Sequence, residues 1–128
     1  MQAQLLFWML AAIDGHAKNF SIHLLPQGRF RLTPLYDVIS AWPVVGTGAN
    51  QLHEKKLEMA MALRGKNKHY RWSEIRRDHF NQTAHACGLG ADMNDLIDAT
   101  IAAVPDAVER VGNELPQGFP ERVFQRIV

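Results

Sequence analysis

The sequence predicts a mainly α-helical domain of α+β type that carries one small β-hairpin. Three observations predict it. The chain opens on a run of strong helix formers, Met1 to Ala12, that is apolar on nearly every side from Leu5 onward. Two short apolar-rich runs, Phe20–Leu25 and Phe30–Thr33, flank a turn holding Pro26 and Gly28, the local pattern of a hairpin. After Ser73, apolar residues recur at helical spacing in capped segments.

Taken in order, the first helix has no polar face, so it needs covering on more than one side, as a central helix of a helical lobe has. Leu5–Ile13 is too short to span a bilayer, lacks a basic leader and runs directly into Asp14. The hairpin follows over residues 20–33. Ile39 to Gln51 holds Pro43, Gly46, Gly48 and Asn50 and reads as a loop, either a plain connection or a functional segment. Leu57, Met59, Met61 and Leu63 alternate with other residues at the period of a half-buried strand, although Met, Ala and Leu favour helix. The run Arg64-Gly65-Lys66-Asn67-Lys68-His69-Tyr70-Arg71-Trp72 is basic with interleaved aromatics. A solvated loop with one buried Trp is the commoner outcome for such a run, with contact to phosphate or RNA as the alternative.

Ser73 is placed to cap a helix through about Ala86 that turns Ile75, His79, Phe80 and Thr83 to one face, and Gly88 is suited to stop it. Asp92 can cap the next helix, where Met93, Leu96, Ile97, Thr100, Ile101 and Val104 recur. Pro105 must kink that helix or start another, because it has no N–H to donate. Val108 and Val111 carry an apolar stripe to about Leu115, interrupted by Gly112. Pro116 to Pro120 breaks the pattern before a short terminal helix, Glu121 to Val128.

At 128 residues this is one domain with room for a core. A hydrophobic share of 47% with 21% charged residues is ordinary for a globular domain, and a net charge of +1 gives no argument for nucleic acid or membrane as partner. The single Cys87 cannot form an internal disulfide, which points to a reducing, cytoplasmic setting. Its small and apolar neighbours predict a buried structural thiol.

The chemistry is concentrated in Asp14-Gly15-His16-Ala17-Lys18-Asn19, read with Leu35-Tyr36-Asp37 beyond the hairpin. A hairpin brings its two ends together, so Asp14, Asn19 and Asp37 are expected to converge on one cleft. Oxygen donors of this kind suit Mg²⁺, and a spare carboxylate can accept a proton. An Asp followed five residues later by an Asn, with another Asp after a hairpin, is the spacing of the protein-kinase catalytic loop and metal site. Three departures from that pattern stand out. Ala12-Ile13 precedes Asp14 in place of His-Arg, Lys18 sits beside the Asn, and Leu35-Tyr36-Asp37-Val38 replaces Asp-Phe-Gly.

With those departures, Asp-Gly-His-Ala-Lys-Asn-Phe-Ser followed by Arg-Leu-Thr-Pro-Leu-Tyr-Asp-Val resembles the C-terminal lobe of HipA-type toxin kinases, most strongly from Ile13 to Ser40. The resemblance implies a protein-kinase-like C-terminal lobe, with ATP and Mg²⁺ in the complete enzyme and Ser/Thr phosphorylation of a protein. It gives Asp14 the role of base and Asn19 and Asp37 that of metal ligands. Lys18 is expected to face the transferring phosphate, and His16 to buttress the loop. It implies as partners a HipB-like DNA-binding antitoxin and, as target, an aminoacyl-tRNA synthetase, with no membrane and no direct nucleic-acid contact. No glycine-rich loop or nucleotide-binding Lys on a strand is found; Gly46-Thr47-Gly48 lacks the remaining glycine and comes after Asp37. The chain thus reads as a C-terminal portion, residues 1–128, that lacks the nucleotide-binding lobe and is inactive alone. Two other readings stay open: a non-catalytic helical module that binds an antitoxin or a separate N-lobe, and a fragment of a small-molecule phosphotransferase.

Overall fold

Helix α1 (Gln2–Met9) runs through the core, as its all-round apolar surface requires. In the structure, a computed structural model that describes residues 1–90 and 92–128, Leu5 and Phe7 are buried, and Ala3, Trp8, Met9 and Leu10 pack against the same cluster. Buried Gln4 donates Nε2–H to the Met61 carbonyl, so its one polar side chain in the core has a partner.

The helix stops earlier than its composition suggests. Ala11 adopts φ 45°, the left-handed conformation usually left to glycine. Ala12 N–H donates to Phe7 O at 2.8 Å and Ala11 N–H to Trp8 O at 3.1 Å, the paired bonds of a Schellman close. A left-handed Ala costs roughly 1–2 kcal/mol. Ala11 is fully buried among Ala41, Val45 and Leu57, where the small side chain is what fits.

Among the described residues the fold is α+β, with five helices and two separate two-stranded antiparallel sheets. Strands β1 (Ile22–Leu24) and β2 (Phe30–Leu32) form the expected hairpin, pairing Ile22 with Leu32, His23 with Arg31 and Leu24 with Phe30. Gln27 and Gly28 turn it at φ 63° and 72°. The alternation at 57–63 is indeed a strand: β3 (Glu58–Arg64) buries Met59 and Leu63 and turns Glu58 and Arg64 out.

Its partner strand departs from the sequence reading. Lys68–Arg71 is not a solvated loop but β4, paired with β3 through Arg64↔Lys68, Leu63↔His69 and Glu58↔Arg71, with an irregularity between the last two. Backbone pairing holds this strand, and its mostly exposed basic side chains carry no apolar period to announce it. Trp72, directly after it, is half-buried and packs against both core clusters. It stacks on Trp8 at 5.6 Å between centroids, and each indole N–H donates to the other residue's carbonyl.

Helix α2 (Arg77–Ala86) starts later than Ser73, which lies in a 3₁₀ turn, Trp72–Glu74. His79 Nδ1 accepts the Arg76 N–H at 3.3 Å and takes the capping role. Of the predicted inner face, His79 and Phe80 are buried on α2 and Thr83 Oγ1 accepts the Arg64 N–H at 2.6 Å; Ile75 is buried too, but it precedes the helix. Cys87, at the end of α2, is exposed rather than buried, because the helix has left the core by then. Helix α3 (Asn94–Ala102) buries Ile97, and Asp92 Oδ1 accepts the Asn94 N–H at its start. Helix α4 (Val104–Glu114) begins at the Pro105 turn, and α5 (Glu121–Ile127) follows the Pro116–Pro120 break. No helix among the described residues is long and apolar enough to cross a membrane.

His79 stacks on His69 with centroids 3.8 Å apart. Burial, then the neighbouring His69 charge and more weakly Arg76, push the His79 pKa below its ordinary value, against a smaller opposing pull from Asp78. A depressed folded-state pKa means the unfolded chain takes up a proton that the folded chain refuses, so stability falls as pH drops through the ordinary histidine range. Urea unfolding at about pH 7.5 and about pH 5.5 is expected to show a larger loss for the wild type than for His79→Gln. Equal losses would show that the stacked pair does not resist protonation.

Candidate functional site

The six-residue loop that leaves α1 is folded by its own polar groups. Gly15 N–H donates to Ala12 O at 3.0 Å, turning the chain back over Phe7. A Cβ on Gly15 would stand 2.5 Å from Phe7 Cδ2, so only glycine lets the backbone lie on that buried ring. His16 and Asn19 then close a 3₁₀ turn, Ala17–Asn19: Asn19 N–H donates to His16 O, and His16 N–H donates to Asn19 Oδ1, both at 3.0 Å. Asn19 is 3% exposed, so its carboxamide is held in one orientation.

The other end of the hairpin meets it there. Asn19 Nδ2 donates to Asp37 Oδ2 at 2.8 Å, across 18 residues of sequence. Asp37 has φ 57°, a left-handed turn that Asp tolerates better than most residues, and this turns the chain out of the hairpin. Tyr36 fastens the same junction. Its hydroxyl donates to Lys18 O at 3.0 Å, which leaves the Ser21 hydroxyl to donate to Tyr36 Oη at 2.8 Å. Tyr36 and Ser21 carry no role in the sequence reading, although both belong to the motif runs that flank the hairpin.

The structure therefore brings Asn19 and Asp37 together and places Lys18 and His16 on the same turn. Asp14 is exposed at the loop's start and makes no hydrogen bond or ion pair among the described residues. Lys18 is likewise exposed, its ammonium free of any carboxylate there. His16 is half-buried, and its Nδ1 is an enclosed atom without a hydrogen-bond partner.

The donor set suits a hard cation in type, with one orientation to change. Asp37 keeps Oδ1 available, and carboxylate oxygen is what Mg²⁺ prefers. Asn19 turns its nitrogen, not its oxygen, toward Asp37, and its Oδ1 already accepts from His16. For both to ligate one ion the carboxamide must turn over, giving up the His16 bond for a metal bond.

The Ile22, Leu24, Phe30 and Leu32 side chains share one face of the hairpin beside this junction, and all are open: Leu24 is 80% and Phe30 68% exposed. Four large apolar residues on one uncovered sheet face form a surface suited to a partner. A family model described as the HipA-like C-terminal domain matches residues 1–108, which takes in the loop, the hairpin, the β3–β4 sheet and α2–α3.

Proposed function

Since the chain belongs to the HipA-like C-terminal domain family, we propose that it is the catalytic-lobe portion of a Ser/Thr protein kinase that moves a phosphoryl group from Mg-ATP to a protein hydroxyl. The observation that carries this reading is the Asn19–Asp37 bond, which joins the Asp-x₄-Asn loop to the Tyr-Asp that follows the hairpin. Phosphoryl transfer asks a protein mainly for positioning and for positive charge set against the phosphates; the junction would serve the first, and a held Mg²⁺ with Lys18 the second.

In the proposed roles, Asp14 accepts the proton of the incoming hydroxyl, which its exposure permits. Lys18 offers its ammonium to the transferring phosphate. Asp37, with Asn19 after its carboxamide turns, would hold Mg²⁺. Bound there, the ion would neutralise charge on the phosphate oxygens. His16 supports the loop. The open hairpin face would receive a nucleotide-binding lobe, since the adenine and the α- and β-phosphates need a clamp these residues do not provide. A HipB-like DNA-binding antitoxin as partner, an aminoacyl-tRNA synthetase as target and a cytoplasmic setting complete the proposal.

Apolar exposure on the hairpin favours one further reading, a binding module that docks an antitoxin or a separate lobe without catalysis. Calorimetric titration with Mg-ATP, paired with a phosphorylation assay, separates the two. The 128-residue chain alone is expected to bind weakly and turn over nothing, and joining a nucleotide-binding lobe upstream is expected to restore both. Docking of that lobe without any turnover would favour the non-catalytic module. Robust turnover by the chain alone would overturn the divided-site reading.

A further inference from the structure

The segment that follows Asp37 is held from outside by the last helix of the chain. Residues 39–52 hold one 3₁₀ turn, Trp42–Val44, and one isolated bridge, Val45–Leu52, joined by turn and loop bonds and anchored beneath by buried Ala41 and Val45. On the inner side, Ala41 N–H donates to Ala11 O at 3.1 Å and Trp42 Nε1–H to Met9 O at 3.0 Å, docking the turn on the end of α1. On the outer side stands Arg126 of α5. Its Nε and Nη2 donate to Trp42 O at 3.3 and 3.2 Å, and Nη2 also donates to Val45 O. A guanidinium fork thus spans the two carbonyls at the ends of the turn, and charged donors make the stronger hydrogen bonds.

Helix α5 is otherwise lightly held. None of its residues is buried; Val123, Phe124 and Ile127 are half-covered. Phe124 lies against Gly112 of α4, where an added Cβ would come within 3.4 Å of its ring. The connection to α4 runs through Pro116, Gly118 at φ 84° and Pro120, a tether with no hydrogen-bonded element of its own beyond one turn bond, Phe119 N–H to Pro116 O. The helix also lies outside the residues 1–108 that the family model matches.

We propose that α5 is a detachable strap: seated through Arg126, it orders the Trp42–Leu52 segment that leads out of Asp37, and unseated, it frees that segment while the rest of the domain stays folded. The strap holds whether or not the site around the Asn19–Asp37 junction transfers phosphate, and its test does not use activity.

Amide hydrogen exchange of the whole chain reads the strap directly. The relevant amides are Val44, Val45, Gly46 and Leu52, whose hydrogen bonds lie inside the held segment. In Arg126→Ala their protection is expected to fall at least about tenfold, with β3 and α2 amides unchanged. Arg126→Lys, which keeps the charge and loses the fork, is expected to fall between. A synthetic peptide of residues 119–128, added in excess to Arg126→Ala, should restore protection, and the same peptide carrying Arg126→Ala should not. Unchanged protection in Arg126→Ala, or a uniform loss across the chain, overturns the strap. Failure of the native peptide to rescue overturns its being detachable.

Discussion

Asp14→Asn is expected to lower phosphoryl transfer by the lobe-completed enzyme by roughly a hundredfold or more, the scale of a positioned general base. The substitution keeps the size and shape of the side chain and removes the carboxylate proposed to accept the proton. Asp14 is exposed and holds no hydrogen bond among the described residues, so nothing in the fold depends on its charge. The thermal midpoint and Mg-ATP affinity should therefore match the wild type while turnover at saturating nucleotide collapses. That separation matters, because Asn19→Ala would not give it. Asn19 is buried and bonded to both His16 and Asp37, so its removal disturbs the loop, the hairpin and the Asp37 carboxylate together. Near-normal turnover by Asp14→Asn would remove the base assignment and leave positioning by Asn19, Asp37 and Lys18 as the whole of the site's contribution.

How much of this was legible in the sequence depends on whether a feature is written in side chains or in backbone. The central helix, the first hairpin, β3 and the Pro105 and Pro116–Pro120 breaks are side-chain patterns, and the structure has each of them. Strand β4 is not: Lys68-His69-Tyr70-Arg71 reads as surface, and only pairing with a strand already committed to the core makes it a strand. The start of α2 moved from Ser73 to Arg76–Arg77 for a related reason. Glu74, in the same 3₁₀ turn as Ser73, is paired with Arg71 at 2.8 Å, and the His79 imidazole caps the helix instead. Cys87 lies at a helix end, where its small neighbours say little about depth.

The site divides along the same line. The meeting of Asn19 with Asp37 follows from hairpin topology, since whatever enters one strand and leaves the other must be adjacent, and an 18-residue interval closes to a 2.8 Å bond. The clamp of Tyr36 onto Lys18 O and Ser21 depends on where one hydroxyl ends up, and no spacing rule announces that. The orientation of the Asn19 carboxamide is likewise a product of the 3₁₀ turn that His16 closes.

The largest effect on stability is expected at Phe7, about 3–5 kcal/mol for Phe7→Ala. Phe7 is 1% exposed, its ring lies 6.0 Å from the Phe20 ring, and the Gly15 backbone lies against it. It therefore joins α1, the first residue after the loop and the loop itself. Gly15→Ala attacks the same contact from above, since its methyl would enter the ring at 2.5 Å; overpacking of this kind costs about 1–3 kcal/mol. A core ring has no room to swing away, so the loop backbone must lift, and with it the His16–Asn19 turn. The two changes should not add. In a Phe7→Ala background the methyl that Gly15→Ala introduces falls into the cavity left by the ring, and the combined loss is expected to be smaller than the sum of the single losses by roughly 1 kcal/mol or more. Urea unfolding of the four chains measures this cycle. Strict additivity would mean that Phe7 and Gly15 do not touch, and that the Asp14–Asn19 loop is held by its own hydrogen bonds and by Asp37 without the core beneath it.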